Sequence, residues 1–273
     1  MTIAQLDWML SYKNEGVLFN SNNINKNEEV HNMKKIIKFI LISIIAIVLI
    51  VATYAVGSGY ILYKKTIKTM SLHEKVTQIQ QADYFVNIDE IPEDYINAVI
   101  AVEDHRFEEH GAVDLIAIAR ALTSDIKNKE LVEGGSTITQ QVVKNLYFME
   151  KDTKSDSLDR KIAEIIMGIE LEKNYSKDEI FELYANDIYF GDGYYCLKDA
   201  ANGYFDKEPS EMNRYECTLL AGIPNAPSVY SPNVNPELSK KRHEKVIRAM
   251  VKYGYLTQEE ADEINLDEYY ENR

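Results

Sequence analysis

Hydrophobic and polar positions along the chain fall into three regimes. Residues 39–63 carry no charge, and Phe39 to Val56 is dominated by Ile, Leu, Val and Ala. As a helix this stretch measures about 37 Å at roughly 1.5 Å per residue, more than the ~30 Å hydrocarbon core of a bilayer. A helix buried in a soluble domain rarely lacks a polar face for so long, so the pattern predicts a membrane anchor. Residues 1–33 are polar, Asn-rich and without periodicity, the composition of a disordered tail. From Pro92 onward, apolar residues recur at i, i+3 and i+4 between Gly- and Pro-marked breaks, with almost no strand alternation. The prediction is a mainly α protein. Its segments are a tail (1–35), an anchor (36–63), a linker (64–91), a helical domain (92–260) and a C-terminal tail (261–273).

Within the helical domain, polar residues that interrupt apolar faces carry the candidate chemistry. Pro92 suits the first position of a helix whose apolar face is Ile96, Val99 and Ile100. The next residue on that face is Glu103. Burial and the C-terminal end of the helix dipole both disfavour its charged form, which suits a group that must take up a proton. Asp104, His105, Arg106 and His110 follow closely. A helix-end glutamate paired with Arg106 explains the same pattern with no chemistry at all.

Three further stretches matter. In Glu133–Asn145, Gly134-Gly135 forms a turn, and Thr137 with Gln140 reads as a capping box. Thr137, Gln140, Gln141 and Lys144 then share one helix face, with Ile138, Val142 and Leu146 opposite. A Gly-rich turn opening a helix offers N–H groups to an anion. Residues 149–159 read as a polar loop, and Leu115 to Ile126 as a helix. In Arg160–Glu172, Ile162, Ile165, Ile166 and Ile169 make a stripe, with Arg160, Lys161, Glu164 and Gly168 roughly opposite. Gly168 costs about 1 kcal/mol of helix stability against Ala, a cost that makes sense if something docks beside Glu164. Ser176 and Glu179 form another capping box, and Arg242 to Val251 an amphipathic helix with Val246, Ile247 and Met250 inward.

Composition narrows the options. The chain has 273 residues, 45% of them hydrophobic, and a net charge of −14, which excludes the basic footprint of a nucleic-acid partner. Lys34, Lys35 and Lys38 before the apolar run place residues 1–33 in the cytoplasm and the helical domain outside; Lys64, Lys65 and Lys68 beyond it pull the other way. A cleaved signal peptide is the competing reading, with Thr53 and Ala55 a poor cleavage site. Met33 offers an alternative start. Cys196 and Cys217 read as buried thiols, since one pair is no disulfide framework in a domain of this size.

The stretches E-D-H-R-F-x-x-H, G-G-S-T-I-T-Q-Q-V-V-K-N, R-K-I-A-E and Y-A-N-D-I-Y-F-G, in this order, resemble the successive motifs of the peptidoglycan glycosyltransferases. That family is the transglycosylase domain family of penicillin-binding proteins, which polymerises lipid II. The resemblance runs from about residue 70 to 255. No K-T-G element is present, which points to a monofunctional member. It implies a lysozyme-like helical head with a smaller membrane-associated lobe, behind one N-terminal transmembrane helix. By the same resemblance, Glu103 is the general base and Glu164 the second glutamate. Lys144, Arg160 and Lys161 hold pyrophosphate, and Gln140 and Gln141 line the donor cleft. Asp104, Arg106, Phe107, Ser136 and Thr137 complete the expected substrate site. The resemblance further implies a divalent cation (Mg or Mn), no organic cofactor, and a single-pass protein of the cell membrane with its catalytic domain extracytoplasmic. Its partners are then lipid II, the growing glycan, the membrane and, where they exist, cell-wall synthesis or division proteins. Three departures stand out: Ala112 where the family has glycine after His110, Ala185 for a leucine, and Cys196 for a glycine. The rivals are a glycan-cleaving lysozyme-like enzyme, which needs no pyrophosphate site, and a catalytically silent cell-wall scaffold.

Overall fold

The computed structural model describes residues 3–120, 135–149 and 157–271, with side chains from His31 onward except those of 268, 269 and 271. Among the described residues the structure is helical throughout, with no strand. The chain forms two bodies, Met1–Gly57 and Ser58–Arg273.

The first helix, α1 (Ile3–Thr69), contains the apolar run. The stretch His31–Thr69 is the one helix among the described residues long and apolar enough to cross a membrane. Its large apolar side chains are exposed, Phe39, Ile50 and Tyr54 among them, as a helix made for lipid requires. Helix starts already at Ile3, where the sequence reading expected a disordered tail. Extending an existing helix needs no new nucleus, and composition alone does not register that advantage.

The second body opens with the last turns of α1. There Gly59 lies so close to Ile162 that a Cβ would stand 2.5 Å from its Cγ2. One turn on, the Tyr63 hydroxyl donates to Glu170 at 2.9 Å. Helix α2 (Leu72–Gln80) starts at a Ser71–Glu74 capping box. Helix α3 (Glu93–Glu103) has Pro92 at its N-cap, one position earlier than expected, and ends at Glu103. A helical stretch α4 (115–120) follows; the remainder of the expected helix, residues 121–126, lies outside the described residues.

Two groups of helices make the core. Helix α3 packs on α9 (Arg214–Gly222) and α11 (Pro236–Lys252), burying Tyr95, Val99, Leu220, Val246 and Met250. Helix α5 (Ile138–Phe148) packs on α6 (Leu158–Asn174) and α7 (Lys177–Asp187), burying Ile138, Val142, Met167, Leu171 and Leu183. The capping box at Ser176 and Glu179 opens α7 as expected. At its other end Asn186 exchanges hydrogen bonds with both backbone groups of Val86, at 2.8 and 2.9 Å. Beside it Asp187 Oδ2 is buried with no hydrogen-bond partner among the described residues. Burial pushes this carboxyl up to about 7, against the opposing charge of Lys75. Helices α8 (Leu197–Phe205), α10 (Pro227–Tyr230), α12 (Gln258–Asp262) and α13 (Leu266–Glu271) complete the body. Cys196 and Cys217 are free and buried.

Helix α6 corrects one inference from pattern. Its isoleucine stripe is not the buried face: Ile169 is 56% exposed, while Ala163, Glu164, Met167, Gly168 and Leu171 point inward. Nor does Gly168 leave room for a ligand. A Cβ there would stand 3.0 Å from the Cβ of Ala112, so what docks beside it is the chain's own loop.

Candidate active site

The two helix groups face each other across a cleft of about 460 Å3. Glu103, Asp104 and His105 line it from the end of α3, and Gln140, Gln141 and Lys144 from α5. Lys161 and Glu164 come from α6, and Arg242, Lys245, Arg248 and Lys252 from α11. Asp104, Ser136 and Thr137 also reach it, whereas Arg106, Phe107 and Arg160 are not among its lining residues.

Glu103 is held from two sides. Arg242 Nη2 donates to its Oε1 at 2.6 Å, and Gln141 Nε2 to its Oε2 at 3.0 Å. Both ends of the ion pair are under 10% exposed. The expected partner Arg106 is instead turned to Glu109 and Asp114. The apolar surroundings inferred for Glu103 therefore lack their main premise, because a guanidinium 139 residues away in sequence supplies a counter-charge. Arg242 also donates to Gly222 O, and a Cβ on Gly222 would stand 3.1 Å from Arg242 Cγ. That close approach lets the arginine lie flat between α9 and α3. Nearby, the hydroxyls of Tyr95 and Tyr184 are buried without partners among the described residues. Burial raises both phenols well above their usual range, helped at Tyr95 by Cys217 and then Glu103 and at Tyr184 by Glu103, so both keep their protons.

Glu164 has a different setting. It is 2% exposed and meets two cations, Arg160 Nε at 3.1 Å and Lys161 Nζ at 3.3 Å. Lys161 also donates to Ser136 Oγ at 2.8 Å, which fixes its ammonium over the start of α5. Lys144 is exposed in the cleft. The segment between these cations, 150–156, and the Glu133–Gly134 half of the predicted turn lie outside the described residues.

Several expected substrate contacts turn out to hold the walls in place. Thr137 is the N-cap of α5 and accepts from Gln140 N, but the reciprocal half of the capping box is missing. The Gln140 side chain donates instead to Ala112 O at 2.7 Å, alongside Thr137 Oγ1 at 3.0 Å. Asp104 accepts from His110 Nε2 at 2.7 Å and from Ile138 N at 3.0 Å, tying the loop after α3 to the first turn of α5. Phe107 is 1% exposed in the core, with Lys177 above its ring at 4.3 Å.

Asp104, His110 and Asp114 offer three ligand atoms within 4.8 Å, which raises the question of a metal. The donor set does not fit one. Both Asp104 oxygens and both His110 nitrogens are already hydrogen-bonded, and Arg106 sits on Asp114 Oδ1 at 3.2 Å, so Asp114 Oδ2 alone is left without a hydrogen-bond partner among the described residues. Burial would raise the Asp114 carboxyl, but the N–H groups of Ala117 and Ile116 and the charge of Arg106 outweigh it and hold it low. Asp114 is the cap of α4.

Sequence reasoning missed Arg242 and the cations beyond it. Part of the signal was present: Lys245, Arg248 and Lys252 recur on the side of α11 away from Val246, Ile247 and Met250, whereas Arg242 lies one turn before Val246 and is buried with it.

Comparison with known proteins agrees with the motif order. The family model described as Transglycosylase matches residues 69–251. Penicillin-binding protein 1A of Aquifex aeolicus is 42% identical over 183 residues, 67% of this chain and 25% of that protein. Penicillin-binding protein 1F of Bacillus subtilis is 43% identical over 176 residues, 64% of this chain and 24% of the relative. The chain thus spans about a quarter of the length of these relatives. A crystal structure of penicillin-binding protein 1A from Haemophilus influenzae aligns with TM-score 0.39 and 22% identity, over 66% of this chain and 17% of that one. On the strength of the match over residues 69–251, the chain belongs to the transglycosylase family, the peptidoglycan glycosyltransferases.

Proposed function

We propose that this protein polymerises lipid II into β-1,4 glycan strands from a single-pass anchor in the cell membrane, with its catalytic domain on the extracytoplasmic side. The observation that carries this reading is one cleft in which Glu103 faces cations on α5 and α6. Glu103 takes the proton from the 4-hydroxyl of the acceptor sugar. That oxygen attacks C1 of the growing chain from the face opposite the leaving group, so the anomeric centre inverts. The C1–O bond breaks and its electron pair leaves with undecaprenyl pyrophosphate. Lys144 and Lys161 stabilise the charge developing there, and Arg160 supports Lys161 through their shared Glu164. Gln141 and Arg242 keep the base aimed.

A glycan-cleaving enzyme needs a proton donor at the key glutamate and has no use for this ammonium cluster, so the cations favour polymerisation. The family resemblance implies a divalent cation. Such a cation would be held chiefly by the pyrophosphate oxygens and would screen the charge of the leaving group. The test is to incubate the purified full-length protein with labelled lipid II and Mg2+, and to separate the products by size. Glycan polymer is the expected result; unchanged lipid II, or shortened preformed glycan, would refute the assignment.

A further inference from the structure

Each turnover brings together two lipid-linked diphosphates, one on the donor and one on the acceptor. The cations of α5 and α6 account for one. Resting on the reading above, we propose that Lys245, Arg248 and Lys252 of α11 form a second diphosphate subsite, the one that holds the acceptor.

Three observations carry this. The first is geometric. On α11 the residues Arg242, Lys245, Arg248 and Lys252 all line the cleft, while Val246, Ile247 and Met250 face the core. Arg242 grips Glu103, so the other three extend outward from the base. At a rise of about 1.5 Å per residue they lie roughly 5 to 15 Å along the axis from it. In the acceptor the attacking hydroxyl and the diphosphate sit at opposite ends of a disaccharide. A substrate with its hydroxyl at Glu103 therefore lays its diphosphate along this row.

The second is charge. The chain carries a net charge of −14, yet the cleft is lined by seven cations and four carboxylates. Of the row, only Arg248 has an ion-pair partner among the described residues, Glu244 at 3.4 Å on an exposed surface. Cations gathered along one edge repel one another, and a bound dianion relieves that repulsion.

The third is how the row ends. Lys252 Nζ stands 4.8 Å from the Tyr253 ring, and that ring stacks on His105 at 4.1 Å. Across the cleft Arg120 Nη1 approaches His105 Nε2 at 3.3 Å and the Tyr253 hydroxyl at 3.5 Å. An aromatic pair flanked by Lys252 and Arg120 gives the row a closed, basic end.

The test uses the full-length protein in detergent with a labelled short glycan-lipid as donor. Acceptors are lipid II and an analogue whose diphosphate is replaced by a neutral linker. For the unaltered protein, lipid II is the better acceptor. In the Lys245→Gln/Arg248→Gln/Lys252→Gln variant, KM for lipid II as acceptor rises about tenfold, ~1.4 kcal/mol. Its advantage over the neutral analogue disappears, and KM for the donor stays within twofold. Because the three side chains are exposed, Tm is unchanged. An unaltered acceptor KM, or an equal rise in donor KM, overturns the subsite while leaving the polymerase assignment intact. If the unaltered protein makes no polymer, both fall.

Discussion

Glu103 and Glu164 sit in the same cleft and are opposites in construction. Glu103 ends a helix, meets one guanidinium and one amide, and is anchored by groups that arrive from distant parts of the chain. Glu164 lies in mid-helix and meets cations one turn away on its own helix. The first arrangement aims a carboxylate at something outside itself; the second uses a carboxylate to hold two cations in order. A base must reach a substrate proton, whereas a counter-ion need only keep ammonium and guanidinium groups in place. The division of labour proposed for the two walls rests on these two settings.

The sharpest way to break the comparison is to neutralise each glutamate in turn. Glu103→Gln should lower polymerisation by roughly 10²–10⁴-fold, the usual contribution of a positioned base. Its Tm should fall by a few degrees, because Arg242 keeps an oxygen but loses its counter-charge. Activity within a few-fold of normal would remove Glu103 from the chemistry. Next in size is Arg242→Ala, which strands a buried carboxylate and should cost about 3–5 kcal/mol of stability. In the folded fraction, kcat should drop sharply while KM for lipid II stays within twofold, and Arg242→Lys should recover part of kcat. A loss confined to KM would make Arg242 a substrate contact rather than a positioning residue.

On the opposite wall Lys144→Ala should raise KM for the donor with little change in Tm, since the side chain is exposed. Unfolding of the variant with normal activity in its folded remainder would make Lys144 structural. Smaller still is Gly168→Ala. Its new methyl would crowd Ala112 at 3.0 Å, an overpacking cost of about 1–3 kcal/mol. Adding Ala112→Gly should restore most of the lost Tm, and failure of that rescue would disprove the contact as the cause.

The same contrast explains what the sequence could and could not disclose. Local chemistry was readable: the α3 face ending at Glu103, the Ser176–Glu179 box, and Glu164 on the same side of its helix as Arg160 and Lys161. Partners far apart in sequence were not, and Arg242 is the clearest case. Helix α6 misled for another reason. A stripe such as Ile162, Ile165, Ile166 and Ile169 records avoidance of water and not what it meets, and the buried face was built from Ala163, Met167, Gly168 and Leu171. Gly168 and Ala112 became legible only as a pair, because each accounts for the other's size.

Asp187 gives the fold a dependence on acidity that its ion pairs lack. In the folded chain its carboxyl sits at about 7, against about 3.9 for an aspartate in an open chain. Between those values the folded state keeps a proton that the unfolded state has released. Folding stability from this residue is therefore full below the lower value, declines as pH climbs through the window, and levels off above about 7. Asp187→Asn removes the titration, so its gain in Tm should be larger at pH 8 than at pH 5; an equal gain at both would acquit the carboxyl. Titration of this one aspartate thus runs against ordinary acid denaturation: mild acid, which weakens carboxylates that depend on their charge, favours the buried end of α7.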